Sequence, residues 1–164
     1  MIMYHPSYDA HHCAYRYLNL LRSFPNFQCD KTLLSFVDFY YVYPHLLNEM
    51  KKLPSPLHRY KSLISGIKNP FEVTPNSRAL FFELKSLQKV ALANLQYRGL
   101  VTVTNNNVCL IDTKLPNLLV KTFEEDSFSK TDIFKLLVNE LPKVQLSGNN
   151  GLKARSGLME YKYD

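Results

Sequence analysis

The first thirteen residues carry His5, Asp9, His11, His12 and Cys13, side chains of the kinds that ligate metals or move protons. Their spacing argues against a site. Asp9 is a candidate N-cap for a helix over 10–22, and neighbours on such a helix diverge by about 100°. His11 and His12 therefore do not converge on one ion, and His12 does not face Cys13 to activate it as a nucleophile. They read as surface or interface residues; an enzyme built on His5, Asp9 and His12 is the competing reading. No P-loop, GxSxG, HExxH, paired-cysteine zinc spacing or glycine-rich dinucleotide turn occurs. A non-enzyme without cofactor or metal is the expectation. Cys13, Cys29 and Cys109 are odd in number and lack CxxC spacing, so they read as buried small hydrophobes in a reduced protein. No signal-like or membrane-spanning apolar run opens the chain, which points to the cytoplasm.

The remaining chemistry is charge. The formal net charge is +6, and Lys51, Lys52, Arg59, Lys61 and Lys68 follow one another with no acid between them. That segment is either a phosphate contact or a solvated face. Further on, Gln88, Lys89, Asn94, Gln96 and Arg98 with Asn105, Asn106 and Asn107 could supply a base-reading helix and a wing. Two cations on the helix and an uncharged wing tip are a thin supply for sequence-specific DNA binding. A protein-binding module fits the 11 Tyr and 10 Phe better.

The elements that must position these residues centre on 77–112. Apolar residues recur there at helical spacing through Leu80, Phe81, Leu84, Leu87, Ala91, Leu92 and Leu95. Gly99 then stops the helix, and Leu100–Thr104 and Val108–Ile111 flank an Asn-rich turn. This is helix, stop, hairpin, the second half of a winged helix, with Ser86 a possible break inside the helix. Upstream, Ile2–His5 reads as extended before Pro6. Cys13, Tyr17 and Leu21, with Ala14 and Leu18, form the buried stripe of the 10–22 helix, and His11, His12 and Arg16 lie away from its centre. Asp30 caps a helix over 31–41 that is apolar nearly all round and must be covered on several sides. Its Asp38 must sit at an edge or pair with a base such as Arg16 or with a tyrosine hydroxyl. Pro44 starts a helical segment to Met50, Leu57–Ile64 makes one short helix, and 68–75 is a loop. Downstream, Leu118–Val120 is a short apolar run, Glu124–Asp126 a solvated acidic loop, and Ser129 caps a helix that buries Ile133, Leu136 and Leu137 and ends at Pro142. The predicted fold is mainly α with a small β-hairpin: one winged-helix-like domain over 1–145, then a C-terminal tail over 146–164 whose apolar residues dock it.

Three separated pieces resemble a family. They are Tyr4-His5-Pro6 with Asp9, His12 and Arg16; Phe36–Tyr40 running on to Tyr43-Pro44; and Gly157-Leu158 with Tyr161–Asp164. Together they are similar to the small middle components of ABC-three-component bacterial defence systems, the group that includes Lamassu. The resemblance implies a non-catalytic adaptor that links an SMC- or Rad50-like ATPase to an effector, often a nuclease, in an anti-phage complex. On that reading Tyr4, His5, His12, Arg16, Phe39, Tyr40, Tyr43, Leu158, Tyr161 and Tyr163 are candidate partner contacts, and Lys51, Lys52, Arg59, Lys61, Lys68, Lys89 and Arg98 candidate DNA contacts. The alternative is a free-standing winged-helix DNA-binding protein.

Overall fold

A computed structural model describes residues 9–71 and 76–159. Helix α1 (Ala10–Ser23) begins where the Asp9 carboxylate accepts the His11 N–H at 2.7 Å, satisfying an orphan donor of the first turn. Its buried side comprises Cys13, Tyr17, Leu18, Leu20 and Leu21, together with Arg16 and Asn19. Strand β1 (Gln28–Asp30) follows, and the Asp30 carboxylate caps α2 (Lys31–Val42) by accepting from the N–H groups of Thr32 and Leu33. Leu34, Phe36, Val37, Phe39 and Tyr40 are all buried. As their distribution around the helix requires, α2 is covered by α1, α4 and α6.

Between α2 and α4 the expected α-helices are shorter and tighter. Pro44–Glu49 and Ser55–Tyr60 are 3₁₀ segments, and only Lys61–Ser65 is α-helical (α3). Pro44, Pro54 and Pro56 restrict this stretch to short helical pieces. Helix α4 (Ser77–Tyr97) is continuous, so Ser86 is not a break. Asn76 caps it, and its inner face of Leu80, Phe81, Leu84, Gln88, Ala91, Leu92 and Leu95 is buried. Phe81 stacks on Phe36 at 5.1 Å and meets Phe39 edge-on at 5.4 Å.

Gly99 has φ +69°, the left-handed conformation that closes a helix most cheaply without a Cβ. Strands β2 (Val101–Thr104) and β3 (Asn107–Leu110) pair in register Val101 to Leu110, and Asn105 at the turn has φ 54°. Strand β1 pairs with the other side of β3, Cys29 opposite Val108, so the antiparallel sheet has order β1-β3-β2. Three residues were too few to signal that third strand in the sequence.

Helix α5 (Asn117–Glu125) occupies what read as a connection. The acidic run is not a solvated loop: Glu124 and Glu125 end α5, while Asp126 accepts the Tyr15 hydroxyl at 2.7 Å and the Ser129 N–H at 3.0 Å. Helix α6 (Asp132–Asn139) is capped by Thr131 rather than Ser129 and ends before Pro142, which sits in the 3₁₀ turn Leu141–Lys143. Phe134, Leu136, Leu137 and Val138 are its buried residues, with Ile133 only half-buried. Beyond it, α7 (Leu152–Ser156) inserts Leu152, and Leu158 is buried just after it. The Lys51 N–H donates to the Arg155 carbonyl at 2.9 Å, and the Arg155 guanidinium donates to the Lys52 carbonyl. The expected extended run over 2–5 and the tyrosines at 161 and 163 lie outside the described residues. Among those described, no helix is long and apolar enough to cross a membrane.

Candidate functional site

Beneath α4 lies a buried polar node drawn from three helices. Asp38 is fully buried and receives Arg16 Nε at 2.6 Å and Arg16 Nη2 at 3.2 Å. Gln88 Nε2 donates to the same carboxylate at 2.9 Å and to the Ser35 carbonyl at 3.2 Å. Of the two positions open to Asp38, an edge or a partner, the second holds, and the partner is Arg16. Burial would lower the Arg16 guanidinium, but Asp38 beside it holds it above its usual range. Burial, reinforced by Asp38, pushes the Cys13 thiol and the Tyr17 hydroxyl well up. Cys13 therefore stays protonated and lacks the thiolate character of a nucleophile. Burial likewise pushes the Cys29 thiol up to about 12. Among the described residues no three His, Cys, Asp or Glu side chains converge to hold a metal ion. The node can orient helices; it presents no reactive atom.

That placement corrects several candidates. Arg16, Phe39, Tyr40 and Leu158 are interior residues, as their burial at 6%, 0%, 1% and 2% exposure shows, so a partner does not touch them in this conformation. Gln88 is also interior and reads no base. Its position was legible: it lies four residues after Leu84 and three before Ala91, on the buried face. His12 is exposed and Tyr43 half-buried against Phe39. Tyr4, His5, Tyr161 and Tyr163 fall outside the described residues.

The basic candidates all lie at the surface, but not as one patch. Lys52 and Lys61 line one hollow with Leu53 and His58. Arg59 is committed to Glu140, which Lys143 also holds at 2.9 Å. Lys89 and Arg98 are nine residues apart, which places them about 180° apart around an α-helix. The β2–β3 hairpin is tied to the body rather than projecting. Asn106 donates to Asp30 at 2.9 Å, its carbonyl accepts the Lys31 N–H at 2.7 Å, and Asn107 donates to Gln28 at 2.9 Å.

What α4 offers outward is apolar. Phe82, Val90 and Tyr97 are 53%, 51% and 93% exposed, and with Ser86, Lys89 and Ala93 they fall on the side opposite the buried residues. The signal was present as apolar residues out of register with Leu84, Ala91 and Leu95. Beside this face, Tyr17, Ser35, Phe82, Gln88 and Leu92 line a groove of about 290 Å³ ringed by Lys31, Lys85 and Lys89.

A family model described as ABC-three component (ABC-3C) system Middle Component 5 matches residues 2–164. No curated protein and no solved structure matches the chain.

Proposed function

The chain belongs to the ABC-three-component system middle component 5 family, and from that membership, which implies partnership with the other components of such a system, we propose that it is a non-catalytic adaptor. It links an SMC- or Rad50-like ATPase to an effector nuclease in a cytoplasmic anti-phage complex. The scaffold is a winged helix. The element order α1, β1, α2, α4, β2, β3 and the strand order β1-β3-β2 support that reading, with residues 44–71 inserted between the second and third helices. Residues 146–158 act as a docked appendage rather than a separate unit.

The observation that carries the adaptor role is the outer face of α4. Exposed large apolar side chains grouped on one helix face are what an interface covers. A winged helix built to read DNA would fill the centre of this face with Arg, Asn or Gln, whereas here the exposed Asn94 and Gln96 stand at the border of an apolar centre. The test is a tagged pull-down from a host carrying the neighbouring genes, with partners identified by mass spectrometry. Stoichiometric recovery of an SMC-like ATPase and a second protein is expected; recovery of this chain alone, with nuclease-sensitive DNA, would make the free-standing DNA binder the better account.

A second reading is compatible with the first. Lys52 and Lys61 face one hollow with Lys51 next in the chain, and these residues with Lys68 would give the assembled complex a phosphate contact. Reversing all four to Glu should lower the complex's DNA affinity and flatten its salt dependence. Unchanged affinity would leave them a solvated face.

A further inference from the structure

We propose that the groove between the start of α2 and the middle of α4 receives an acidic segment of another component of the complex, with an apolar side chain seated in the groove and carboxylates on its rim. The inference rests on the adaptor reading and names the chemistry of one contact. Three observations carry it.

The first is charge. Lys31 comes from the first turn of α2, and Lys85 and Lys89 stand one turn apart on α4, so cations from two elements converge on one opening. No acid lines it, and the Asp38 carboxylate that Gln88 reaches beneath it already holds Arg16. The second is the lining: Phe82, Leu92 and the ring of Tyr17 make it mainly apolar, which suits an inserted side chain better than hydrated phosphate. Its volume, about 290 Å³, is at the low end for a binding pocket, matching an anchor rather than a large cofactor. The third is Gln88. Its amide nitrogen is spent on Ser35 and Asp38, while its Oε1 is the buried side-chain acceptor left without a donor among the described residues. A buried acceptor without a donor is costly, and Gln88 forms part of the groove's wall. A nucleic acid is the poorer occupant, because a phosphate chain wants cations strung along its path, whereas these surround a single slot.

Zero-length carbodiimide coupling joins a lysine directly to a carboxylate and so distinguishes an acidic protein segment from phosphate. Applied to the complex purified by tagged pull-down, it is expected to link Lys31, Lys85 or Lys89 to Asp or Glu of another component. In parallel, the variant carrying Lys85→Glu and Lys89→Glu, both exposed and therefore compatible with folding, should recover that component at least ten-fold less well. An intact complex in which these lysines couple only within the chain, and in which the double reversal recovers partners normally, overturns the inference and leaves the adaptor role standing. Normal protein recovery with loss of bound DNA in the double reversal assigns the groove to nucleic acid and overturns it too. Absence of any complex overturns both readings.

Discussion

Asp38 is fully buried and its partners come from two other helices, so its removal leaves the Arg16 charge without compensation in an apolar surround. Asp38→Ala should destabilise by about 3–5 kcal/mol, whereas the double change Arg16→Met with Asp38→Leu should lie close to wild type, because the pair's desolvation offsets most of its attraction. Urea denaturation monitored by circular dichroism checks both. Thiol reactivity follows from the same burial. Cys13 and Cys29 are interior and their thiols are held up, while Cys109 is half-exposed. One thiol should react with a chromogenic disulfide reagent in the native protein at pH 8, and three in denaturant. At this scale the sequence made part of the node legible. An acid on an apolar helix needs a partner, and Arg16 was within the set that one could name. Choosing among candidate partners required knowing how α1 lies against α2, and long-range packing leaves no local trace in residue spacing. Phe39 and Tyr40 illustrate the opposite error: aromatic abundance reads equally as interface or core, and here they fill the core.

Among the elements, the α4–β2 junction depends on one backbone conformation. Gly99 is left-handed and a Cβ there would meet nothing within 4 Å, so the cost of Gly99→Ala is purely conformational, about 1 kcal/mol by urea titration. A different restraint joins the inserted 3₁₀ segment to the turn after α6, where Glu140 receives Lys143 and Arg59. The hydrogen bond from Lys143, then the charge of Arg59, outweigh burial and hold the Glu140 carboxyl below its ordinary value. A carboxyl depressed in the folded state stabilises it above the unfolded pKa, and that contribution disappears as pH falls through the folded value. Glu140→Gln should therefore flatten the acid limb of a stability–pH profile and leave the slope near neutrality unchanged. The caps at Asp9 and Asp30, the stop at Gly99 and the hairpin were all readable, because each depends on chemistry within a few residues. Helix α5 was not: its inner side is a single turn, Leu119 and Val120 with Phe123, of which only Phe123 is fully buried, too short a stripe to show a period. Strand β1 was not either, since its partner is β3, far along the chain.

For the whole molecule, the buried face of α4 holds the fold and the outer face is exposed. Phe82→Ser with Tyr97→Ser should leave the unfolding free energy within about 0.5 kcal/mol of wild type, as exposed sites do, yet strip the other components from a pull-down. Stability and assembly would thereby separate in one variant. The polar node constrains the molecule in another way. Arg16, Asp38 and Gln88 belong to α1, α2 and α4, and the Asp38 carboxylate collects both of its buried partners only when all three helices are in place. Helices α1 and α4 without α2 would enclose the Arg16 charge unpaired, and α2 and α4 without α1 the Asp38 charge. Partly folded forms that lack α1 or α2 are thus penalised at their centre, which favours a concerted unfolding of the helical scaffold. A nick between residues 23 and 31 that lets α1 drift would leave the Asp38 charge unpaired beneath α4.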